Sequence, residues 1–483
     1  MPEIGLIGPS YTLTSASLDC QKTVNLYPVL DESKRGKTVG ALRGTPGLRL
    51  FCTLSSAGGV RGNGLFTSST GRTFAVQGHT LYELFASGTA QSLGTLLTSE
   101  GPVCMDDNGL ALVVVDGPYG YVFDLLANTF SQITDPNFYG ADRVQFLDSY
   151  LIFNRPGTQQ FYWSALSGTT FDSLDFASEE GVPDRLVTLI VMHRELWLLG
   201  TQTAVPWFNV GSLDNPFQRM QGSFLHQGTL AAHSIARLGE TFCWLSANEQ
   251  GEGMVMQAVG GNATRISTQA VEEAMQNAVA AGHPLSDAIA WGEQTLGHLF
   301  YWLTFPSANM TWVYDGSTSL WHERAWLNPV TSAFDRHRAA SHTYAFGKHL
   351  VGDWQNGNVY QLDPTCYTDN AAPKRWVRRA PYVAADGLPY VFHHSLQLDL
   401  EAGVGLDGIG QGTDPQVMLR WSDDGGVNWT LERPATMGKR GERRQRCRWP
   451  RLGRSRARVY EVSGTDPVPS TLLAAYLDTE VAA

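Results

Sequence analysis

Short apolar runs separated by turns recur along the chain from about residue 60 to about residue 365. Each unit has a β-rich apolar run, a turn with glycine, asparagine or aspartate, and a second run that often ends aromatic-then-polar. The second runs resemble one another, as at residues 81–84 (LYEL), 122–125 (VFDL), 313–315 (VYD) and 359–362 (VYQL). Seven such units recur. Their spacing of roughly forty to fifty residues is the period of four-stranded propeller blades.

This repeat predicts an all-β fold built around a β-propeller of about seven blades. A hairpin with one apolar face cannot bury that face alone, whereas radial stacking of blades buries every face and leaves only short strand edges. A sandwich of many strands would also explain the short strands, but it would not explain their recurrence. Other all-β layouts therefore remain the alternative to the propeller.

Two segments depart from the repeat. Residues 268–279 (TQAVEEAMQNAV) have apolar residues at helical spacing behind a threonine N-cap, with acidic residues in the first turn, which predicts one helix inserted between blades. After Lys374 a long alternating strand, a glycine-rich loop and a basic run predict a separate β-sandwich of about a hundred residues. We therefore divide the chain into an N-terminal arm with the start of the propeller (1–59), the propeller (60–373) and the C-terminal sandwich (374–483).

Composition limits the possible classes of function. The 483 residues include 50 glycines and 11% aromatic residues but only 17% charged residues, which fits many short strands joined by tight turns. The formal net charge of −11 argues against DNA binding by the molecule as a whole. The N-terminus lacks the features of a signal peptide and the apolar stretches are too short for a membrane span, so we expect a soluble protein.

Six cysteines lie far apart, at Cys20, Cys52, Cys104, Cys243, Cys366 and Cys447. No two of them form a C-x-x-C pair, which disfavours a zinc ribbon or a redox motif. A chain of this size does not need disulfides for stability. We expect isolated buried thiols in a reducing cytoplasm.

The stretch SDDGGVNW at residues 422–429 has the spacing Ser-x-Asp-x-Gly-x-x-Trp of an Asp-box. This hairpin signature is common in sialidase-like propellers and in many β proteins without catalytic activity. We expect Ser422 and Asp424 to hold the turn at Gly426 by local hydrogen bonds, with Trp429 packed under it. Sialidase-like enzymes carry several copies, an arginine cluster and a Tyr–Glu nucleophile pair, whereas this chain has one copy and no such constellation.

Other catalytic patterns are missing from the sequence as well. It contains neither H-E-x-x-H nor G-x-S-x-G. His393 and His394 adjoin on a predicted strand, so their side chains point to opposite faces and cannot share a metal. We predict no catalytic residue, no cofactor and no metal site, and we assign the Asp-box a structural role.

The most unusual composition lies in the basic run KRGERRQRCRWPRLGRSRAR at residues 439–458. Alternation along a strand would place Arg444, Arg446 and Arg448 on one face, with Gln445 and Cys447 on the other. The run could be a solvated face, a contact with an acidic neighbouring subunit, or a contact with nucleic acid, which the overall acidity disfavours. The candidate assembly contacts are Arg443, Arg444, Arg446, Arg448, Arg451 and Arg454.

Several stretches resemble one known family. They are VNLYPVLDESKRGKTVGALRGTPGLRLF (24–51), TWVYDGSTSLWHERAW (311–326), GNVYQLDPTCYTDNAAPKRWVRRAP (357–381), LQLDLEAGVG (396–405) and MLRWSDDGGVNWTLERPATMGKRGERRQRCRWPRLGRSRARVYEV (418–462). Their order and spacing resemble the packaged-DNA stabilisation proteins, also called tail hub or nozzle proteins, of short-tailed bacteriophages. Residues 140–290 resemble that family only in their propeller rhythm.

The resemblance implies a structural virion protein without enzymatic activity, made in the bacterial host cytoplasm and placed in the phage tail. It implies a ring of six copies below the portal and the head–tail adaptor protein. Such a ring would extend the DNA channel, retain the packaged DNA until ejection and offer a platform for tail fibres or spikes. An acidic chain suits a channel through which DNA slides without sequence-specific binding, because like charges repel.

Two other functions remain open at this point. The Asp-box and the aromatic residues Trp163, Trp207, Trp312 and Trp321 would suit a carbohydrate-binding or glycan-cleaving propeller that recognises a receptor, although we expect most of these indoles to pack between blades. The arginines between Arg443 and Arg458 would suit a DNA-binding module.

Overall fold

The computed structural model describes residues 3–15, 17–33, 38, 40–179, 184–212 and 215–482. Within these ranges the regular structure is β-strand apart from one α-helix, Gln269–Ala280. That helix is neither long nor apolar enough to cross a membrane.

In the part of the chain that the structure describes, seven four-stranded antiparallel blades form a propeller, which confirms the predicted fold class. The first strand of each blade is the innermost, and the inner strands contact one another between most neighbouring blades. Blade 1 comprises Val60–Thr67, Thr73–Gln77, Thr80–Leu84 and Ala90–Thr95, and blade 2 comprises Cys104–Asp107, Ala111–Val115, Gly120–Asp124 and Thr129–Gln132. Blade 3 comprises Val144–Leu147, Tyr150–Asn154, Gln160–Trp163 and Phe176–Ser178, and blade 4 comprises Leu186–Met192, Glu195–Gly200, Ala204–Asn209 and Phe217–Arg219. Blade 5 comprises Ala236–Leu238, Thr241–Ala247, Gly253–Val259 and Asn262–Arg265. Blade 6 comprises Ile289–Thr295, His298–Phe305, Met310–Asp315 and Leu320–Glu323, and blade 7 comprises Ala339–Ala345, Lys348–Asp353, Asn358–Asp363 and Gly47–Thr53.

Blade 7 is closed by a strand from the N-terminal side of the chain. Gly47–Thr53 pairs antiparallel with Asn358–Asp363, so a strand that precedes blade 1 completes the last blade. A side chain at Gly47 would collide with the carbonyl oxygens of Cys366 and Thr368, which explains the glycine at the start of this strand. The ring of blades is therefore closed by hydrogen bonds between distant parts of the chain.

Apolar side chains hold neighbouring blades together. Between blades 1 and 2, for example, Phe74 and Val76 pack against Leu112 and Phe123. Equivalent clusters lie between the other neighbouring blades. Each fully buried side chain of this size stabilises the fold by about 1.5–3 kcal/mol, so the blades gain most of their stability from one another.

The C-terminal region forms a β-sandwich, as predicted, and N-terminal strands complete both of its sheets. The first sheet has the strand order Leu26–Leu30, Gly40–Gly44, Thr471–Val481, Val391–Leu400 and Cys447–Ser455, with Glu3–Ile4 beside Thr471–Val481. The second has the order Cys20–Val24, Trp376–Arg379, Ala457–Gly464, Gln416–Ser422 and Arg433–Thr436, with Tyr11–Thr12 beside Cys20–Val24 and Val383–Ala384 beside Ala457–Gly464. One core contains Leu26 and Leu42 from the N-terminal strands together with Leu398, Leu419 and Val462.

The propeller and the sandwich share a sheet. The outer strand of blade 6, Leu320–Glu323, pairs in parallel with Cys20–Val24, which pairs in turn with Trp376–Arg379 of the sandwich. The predicted boundaries after residues 59 and 373 stay predictions. The sandwich contains the strands Cys20–Val24, Leu26–Leu30 and Gly40–Gly44.

The predicted helix is present between blades 5 and 6, at Gln269–Ala280. Thr268 occupies the N-cap position with extended backbone, but its hydroxyl makes no capping hydrogen bond. Val271 and Met275 face the core that blades 5 and 6 share. On the exposed side Glu272 accepts two hydrogen bonds of 2.6 Å from Arg265. The helix therefore covers the edge of the propeller.

Two short hairpins accompany the blades. They comprise Ala325–Leu327 with Phe334–Arg336, and Thr368–Asp369 with Ala372–Pro373, which extends the sheet of blade 7. All six cysteines are free; Cys366 is half-buried and the other five are buried, in agreement with the expectation of unpaired thiols. His393 is buried and His394 is exposed, as expected for neighbours on a strand.

Candidate functional site: the arginine-rich edge of the sandwich

The six candidate contact arginines all lie on the surface at the edge of the first sandwich sheet. We call this set, Arg443, Arg444, Arg446, Arg448, Arg451 and Arg454, the arginine edge. The strand begins only at Cys447, so the predicted shared strand face of Arg444, Arg446 and Arg448 was wrong. Residues 439–445 instead form successive turns, with backbone hydrogen bonds from Glu442 to Lys439 and from Gln445 to Glu442. Gly438 and Gly441, both with positive φ, keep this segment out of the strand.

An irregularity in the edge strand determines which of its arginines face outward. Cys447 and Trp449 are buried and Arg448 is exposed, as alternation requires. Arg451 has φ of 59°, and the pairing with Val391–Leu400 shifts register at this point. This bulge places Arg451 outside the sheet and allows Arg454 to be exposed as well.

Two arginines of the edge have partners within the chain. Arg448 donates to Ser395 Oγ at 2.8 Å and lies 3.9 Å from a carboxylate oxygen of Asp478. Arg454 stacks on Tyr390, with its guanidinium carbon 4.8 Å from the ring centroid. The side chains of the other four, Arg443, Arg444, Arg446 and Arg451, form no hydrogen bond or ion pair within the described ranges. These four guanidinium groups can therefore pair with groups outside this chain.

Arg458, in the same basic run, is structural. It is 1% exposed, donates to both carboxylate oxygens of Asp423 at 2.6 and 2.9 Å, and donates to the carbonyl oxygen of Leu452 at 2.5 Å. The donors of this guanidinium are used within the sandwich, so Arg458 is not available to an interface. Sequence composition does not distinguish Arg458 from the exposed arginines.

A purely structural explanation of the arginine edge must also be considered. Natural edge strands avoid pairing with other molecules by means of charged side chains, prolines and bulges. Cys447–Ser455 carries all three, with Arg448, Pro450 and the bulge at Arg451. Edge protection accounts for those features, but it does not account for Arg443, Arg444 and Arg446, which precede the strand.

The Asp-box forms the turn that its spacing predicts. Ser422 Oγ donates to Asp424 Oδ1 at 2.7 Å and accepts from the backbone N–H of Gly426 at 2.8 Å. Asp424 accepts from the backbone and the side chain of Asn428 at 2.9 and 2.7 Å, and these bonds lower its pKa to about 2. Trp429 Nε1 donates to the carbonyl oxygen of Gly426 at 2.9 Å. Every polar group of the motif is thus used to hold the turn.

Trp429 packs against two arginines. The guanidinium carbons of Arg379 and Arg420 lie 4.6 and 4.7 Å from its ring centroid. Both arginines also bind the buried carboxylate of Glu461, at 2.9 and 2.6 Å. This layer of cations, ring and carboxylate fastens the turn to the second sheet.

Ser422→Ala is expected to lower the free energy of unfolding of the sandwich by about 1–2 kcal/mol, because the N–H of Gly426 loses its acceptor. The change is measured by urea denaturation followed by tryptophan fluorescence. Ser87→Ala, at an exposed loop serine that bonds only to Thr89, is the matched control and should leave the transition unchanged. Equal stability of the two variants would show that the box does not hold the turn.

The aromatic residues that would favour carbohydrate binding are buried. Trp163 and Trp207 pack in the core between blades 3 and 4. Trp312 and Trp321 pack in the core shared by blades 5 and 6, where Trp321 Nε1 donates to the carbonyl oxygen of Ile266 at 2.7 Å. These indoles are unavailable for stacking on a sugar. The described residues also contain no group of three His, Cys, Asp or Glu side chains that could hold a metal.

The motifs that carry the family resemblance meet at the junction of propeller and sandwich. Asn25, with φ of 55°, donates through Nδ2 to the carbonyl oxygens of Ala325 and Arg375 at 2.8 and 2.7 Å. Its Oδ1 accepts from the N–H of Ala325 at 3.0 Å, and its carbonyl oxygen accepts from the N–H of Thr45 at 3.0 Å. Asn25 thus joins four segments that are distant in sequence.

Two buried cations at this junction were missed by the sequence analysis. Lys374 Nζ donates to the carbonyl oxygens of Thr45 and Pro46; burial lowers the pKa of Lys374, and the nearby carboxylate of Asp369 opposes this shift. Arg378, which is 0% exposed, donates to several acceptors of the N-terminal segment. The signal that could have revealed Arg378 is its place within the apolar pattern of residues 376–380.

Two family models match the chain. One, described as Bacteriophage P22 Gp10, beta-propeller, matches residues 6–367, and the other, described as Bacteriophage P22 Gp10, beta-sandwich, matches residues 375–480. Together they cover the propeller and the sandwich, and they confirm the resemblance that the sequence motifs indicated. No curated protein matches the chain.

Several solved structures resemble part of the chain at low sequence identity. The extracellular domain of the hybrid two-component system BT4673 from B. thetaiotaomicron is 10% identical, with a TM-score of 0.44, over 66% of this chain and 40% of that chain. The WD40 beta propeller domain of Doa1 is 12% identical, with a TM-score of 0.39, over 65% of this chain and 96% of that chain. A chain of the mitotic checkpoint complex is 12% identical, with a TM-score of 0.40, over 62% of this chain and 89% of that chain.

Proposed function

The chain belongs to the bacteriophage P22 Gp10 family and is a structural protein of a phage tail, and on that premise we propose that it forms the ring-shaped hub or nozzle of the tail. In this proposal several copies, six by the family resemblance, assemble below the portal and the head–tail adaptor. The ring extends the DNA channel, retains the packaged DNA until ejection and gives tail fibres or spikes a place to attach. The protein is made in the host cytoplasm and acts by its shape, without catalysis.

The observation that carries this proposal is the arginine edge on an acidic protein. The chain has a formal net charge of −11, yet four exposed guanidinium groups at one edge have no partner within the described part of the chain. Arginine binds carboxylates through two parallel hydrogen bonds, and an acidic neighbouring copy offers many carboxylates. Charge complementarity of this kind directs subunits into one orientation.

The sheet that the propeller and the sandwich share also supports the proposal. The outer strand of blade 6 continues into the sandwich, and the core of the sandwich contains N-terminal and C-terminal residues together. Propeller and sandwich are therefore joined by backbone hydrogen bonds rather than by a linker alone. A stiff subunit of this kind suits a tube that must keep its bore while DNA passes.

Gold-labelled antibody against this chain, viewed by electron microscopy on intact particles, tests the proposal. We expect gold at the single tail vertex, and we expect particles lacking the protein to lose their DNA or their tails. Gold confined to the tips of fibres would favour receptor or glycan recognition instead. Absence of gold from intact particles, or tailed and DNA-filled particles without the protein, would contradict the proposal.

A further inference from the structure

A cavity of about 690 Å³ opens at one end of the propeller. Its walls are formed where the inner strands of blades 1, 2, 6 and 7 begin, by segments 57–62, 99–102 and 286–289 together with Arg336 and Ala340. Trp354, from the loop between two strands of blade 7, closes one side. A cavity of this volume is large enough for a small ligand or a short peptide segment.

Arg336 lies half-buried in the wall of this cavity and has unused hydrogen-bond donors. Its guanidinium carbon lies 3.9 Å from the ring centroid of Trp354, so the stacked indole fixes the plane of the guanidinium. Within the described ranges its guanidinium forms no hydrogen bond or ion pair. Burial lowers the pKa of Arg336, and Asp287 opposes that shift. The Nε1–H of Trp354 is also buried without an acceptor.

Arg61 also lines the cavity, but the hydrogen-bond donors of its guanidinium have acceptors within the chain. Its guanidinium donates to the carbonyl oxygens of Gly101 at 2.6 Å and Glu100 at 2.5 Å, and to the hydroxyl of Thr98 at 2.9 Å. Arg61 therefore fastens the inner strand of blade 1 to the loop before blade 2. Arg336 fastens nothing by hydrogen bonds, so its donors are available to a ligand.

The remaining walls favour an apolar group beside the arginine. They include Val60, Ile289, Pro102, Pro306 and Ala340. Glycine backbone forms much of the rest, at Gly58, Gly59, Gly62, Gly78 and Gly101. These surfaces accept an apolar side chain without loss of hydrogen bonds.

We propose that this cavity binds an acidic peptide segment of a partner protein, with a carboxylate on Arg336 and a neighbouring apolar side chain against Ile289 and Trp354. The planar guanidinium matches a carboxylate in a bidentate pair. A backbone N–H of the segment would suit Asp287, whose Oδ2 accepts from the N–H of Ser307 at 2.7 Å while its Oδ1 has no partner. A neutral sugar would bring no anionic group to pair with the half-buried guanidinium.

Selection of random nonapeptides displayed on messenger RNA against the isolated 483-residue chain tests this proposal. We expect the enriched peptides to combine aspartate or glutamate with a neighbouring apolar residue. A synthetic peptide of enriched sequence should bind Arg336→Ala about thirtyfold more weakly than the unmodified protein, because the carboxylate loses its bidentate partner. Arg336→Lys keeps the positive charge but lacks the planar guanidinium that binds a carboxylate through two hydrogen bonds. It should therefore give an intermediate loss of peptide affinity.

Arg155→Ala is the matched control, because Arg155 also lies 3.9 Å from an aromatic ring, that of Tyr139, but outside the cavity. It should bind the peptide as the unmodified protein does, and thermal unfolding checks that all variants are folded. Peptides without acidic residues, binding that is insensitive to Arg336→Ala, or no enrichment at all would overturn the proposal. So would a saccharide on a glycan array that binds in an Arg336-dependent way. The isolated chain suffices for this test, so its outcome is separate from that of the tail-ring proposal.

Discussion

Replacing four exposed arginines of the edge by glutamate (Arg443→Glu, Arg444→Glu, Arg446→Glu and Arg451→Glu) is expected to lower the titre of infectious particles by about a hundredfold or more. Like charges placed opposite one another in a subunit contact cost about 3 kcal/mol, and every subunit of a ring would carry the change. These four side chains have no hydrogen bond or ion pair within the described part of the chain, so the isolated protein should keep its fold. The titre is measured by complementing a phage that lacks the gene, and thermal unfolding of the purified variant checks the fold.

The control for this prediction is a charge reversal elsewhere on the surface. Arg185→Glu changes an exposed arginine of the propeller, and it should leave the titre unchanged. A normal titre for the quadruple variant would mean that the arginine edge is a solvated, protective edge of the sheet. If the purified protein instead bound duplex DNA at low salt and lost that binding in the variant, contact with nucleic acid would explain the arginines.

Arg378→Ala is expected to lower the free energy of unfolding of the sandwich by about 3–5 kcal/mol. The buried guanidinium donates to the carbonyl oxygens of Leu6 at 2.5 Å and Pro9 at 2.9 Å, and to the side chains of Thr23 at 2.9 Å and Gln21 at 2.7 Å. Removing it leaves these buried acceptors unpaired. The cost is measured by urea denaturation, and limited proteolysis should show earlier cleavage of the N-terminal segment.

Two variants separate this role from a general effect of losing an arginine. Burial lowers the pKa of Arg378 to about 9, yet the residue remains a cation at neutral pH. Arg378→Lys keeps the charge but cannot reach all the acceptors, so we expect a smaller loss of stability. Arg456→Ala, at an exposed arginine of the same region, should change little. Equal stability of Arg378→Ala and Arg456→Ala would contradict a clamping role for Arg378.

Features that depend on neighbours in the chain were predictable from the sequence. The recurrence of apolar runs and turns predicted the propeller, because blades 1 to 6 are local meanders whose strands pair with the next strand along the chain, as do three of the four strands of blade 7. The helix at Gln269–Ala280 and the Asp-box turn were predictable for the same reason, since their hydrogen bonds join residues a few positions apart.

Features that depend on distant residues were not predictable. The N-terminal strands complete the sandwich because Gly40–Gly44 pairs with Thr471–Val481. No local sequence pattern indicates a pairing between strands so far apart in the chain. Exposure of Arg454 and burial of Arg458 depend on the bulge at Arg451 and on Asp423, which lies in the Asp-box turn. The roles of Lys374 and Arg378 likewise depend on carbonyl oxygens more than three hundred residues away.

The amino-acid sequence was sufficient to predict the fold class, the approximate blade number, the family and the structural nature of the Asp-box. Each of these depends on local periodicity or on short motifs. The three-dimensional arrangement was needed to separate exposed from buried arginines and to find the junction around Asn25. It was also needed to bring Arg336 and Trp354 together beside segments of four blades. The physical reason is that burial and hydrogen-bond satisfaction are properties of all the neighbours in space, and most of those neighbours are remote in the chain.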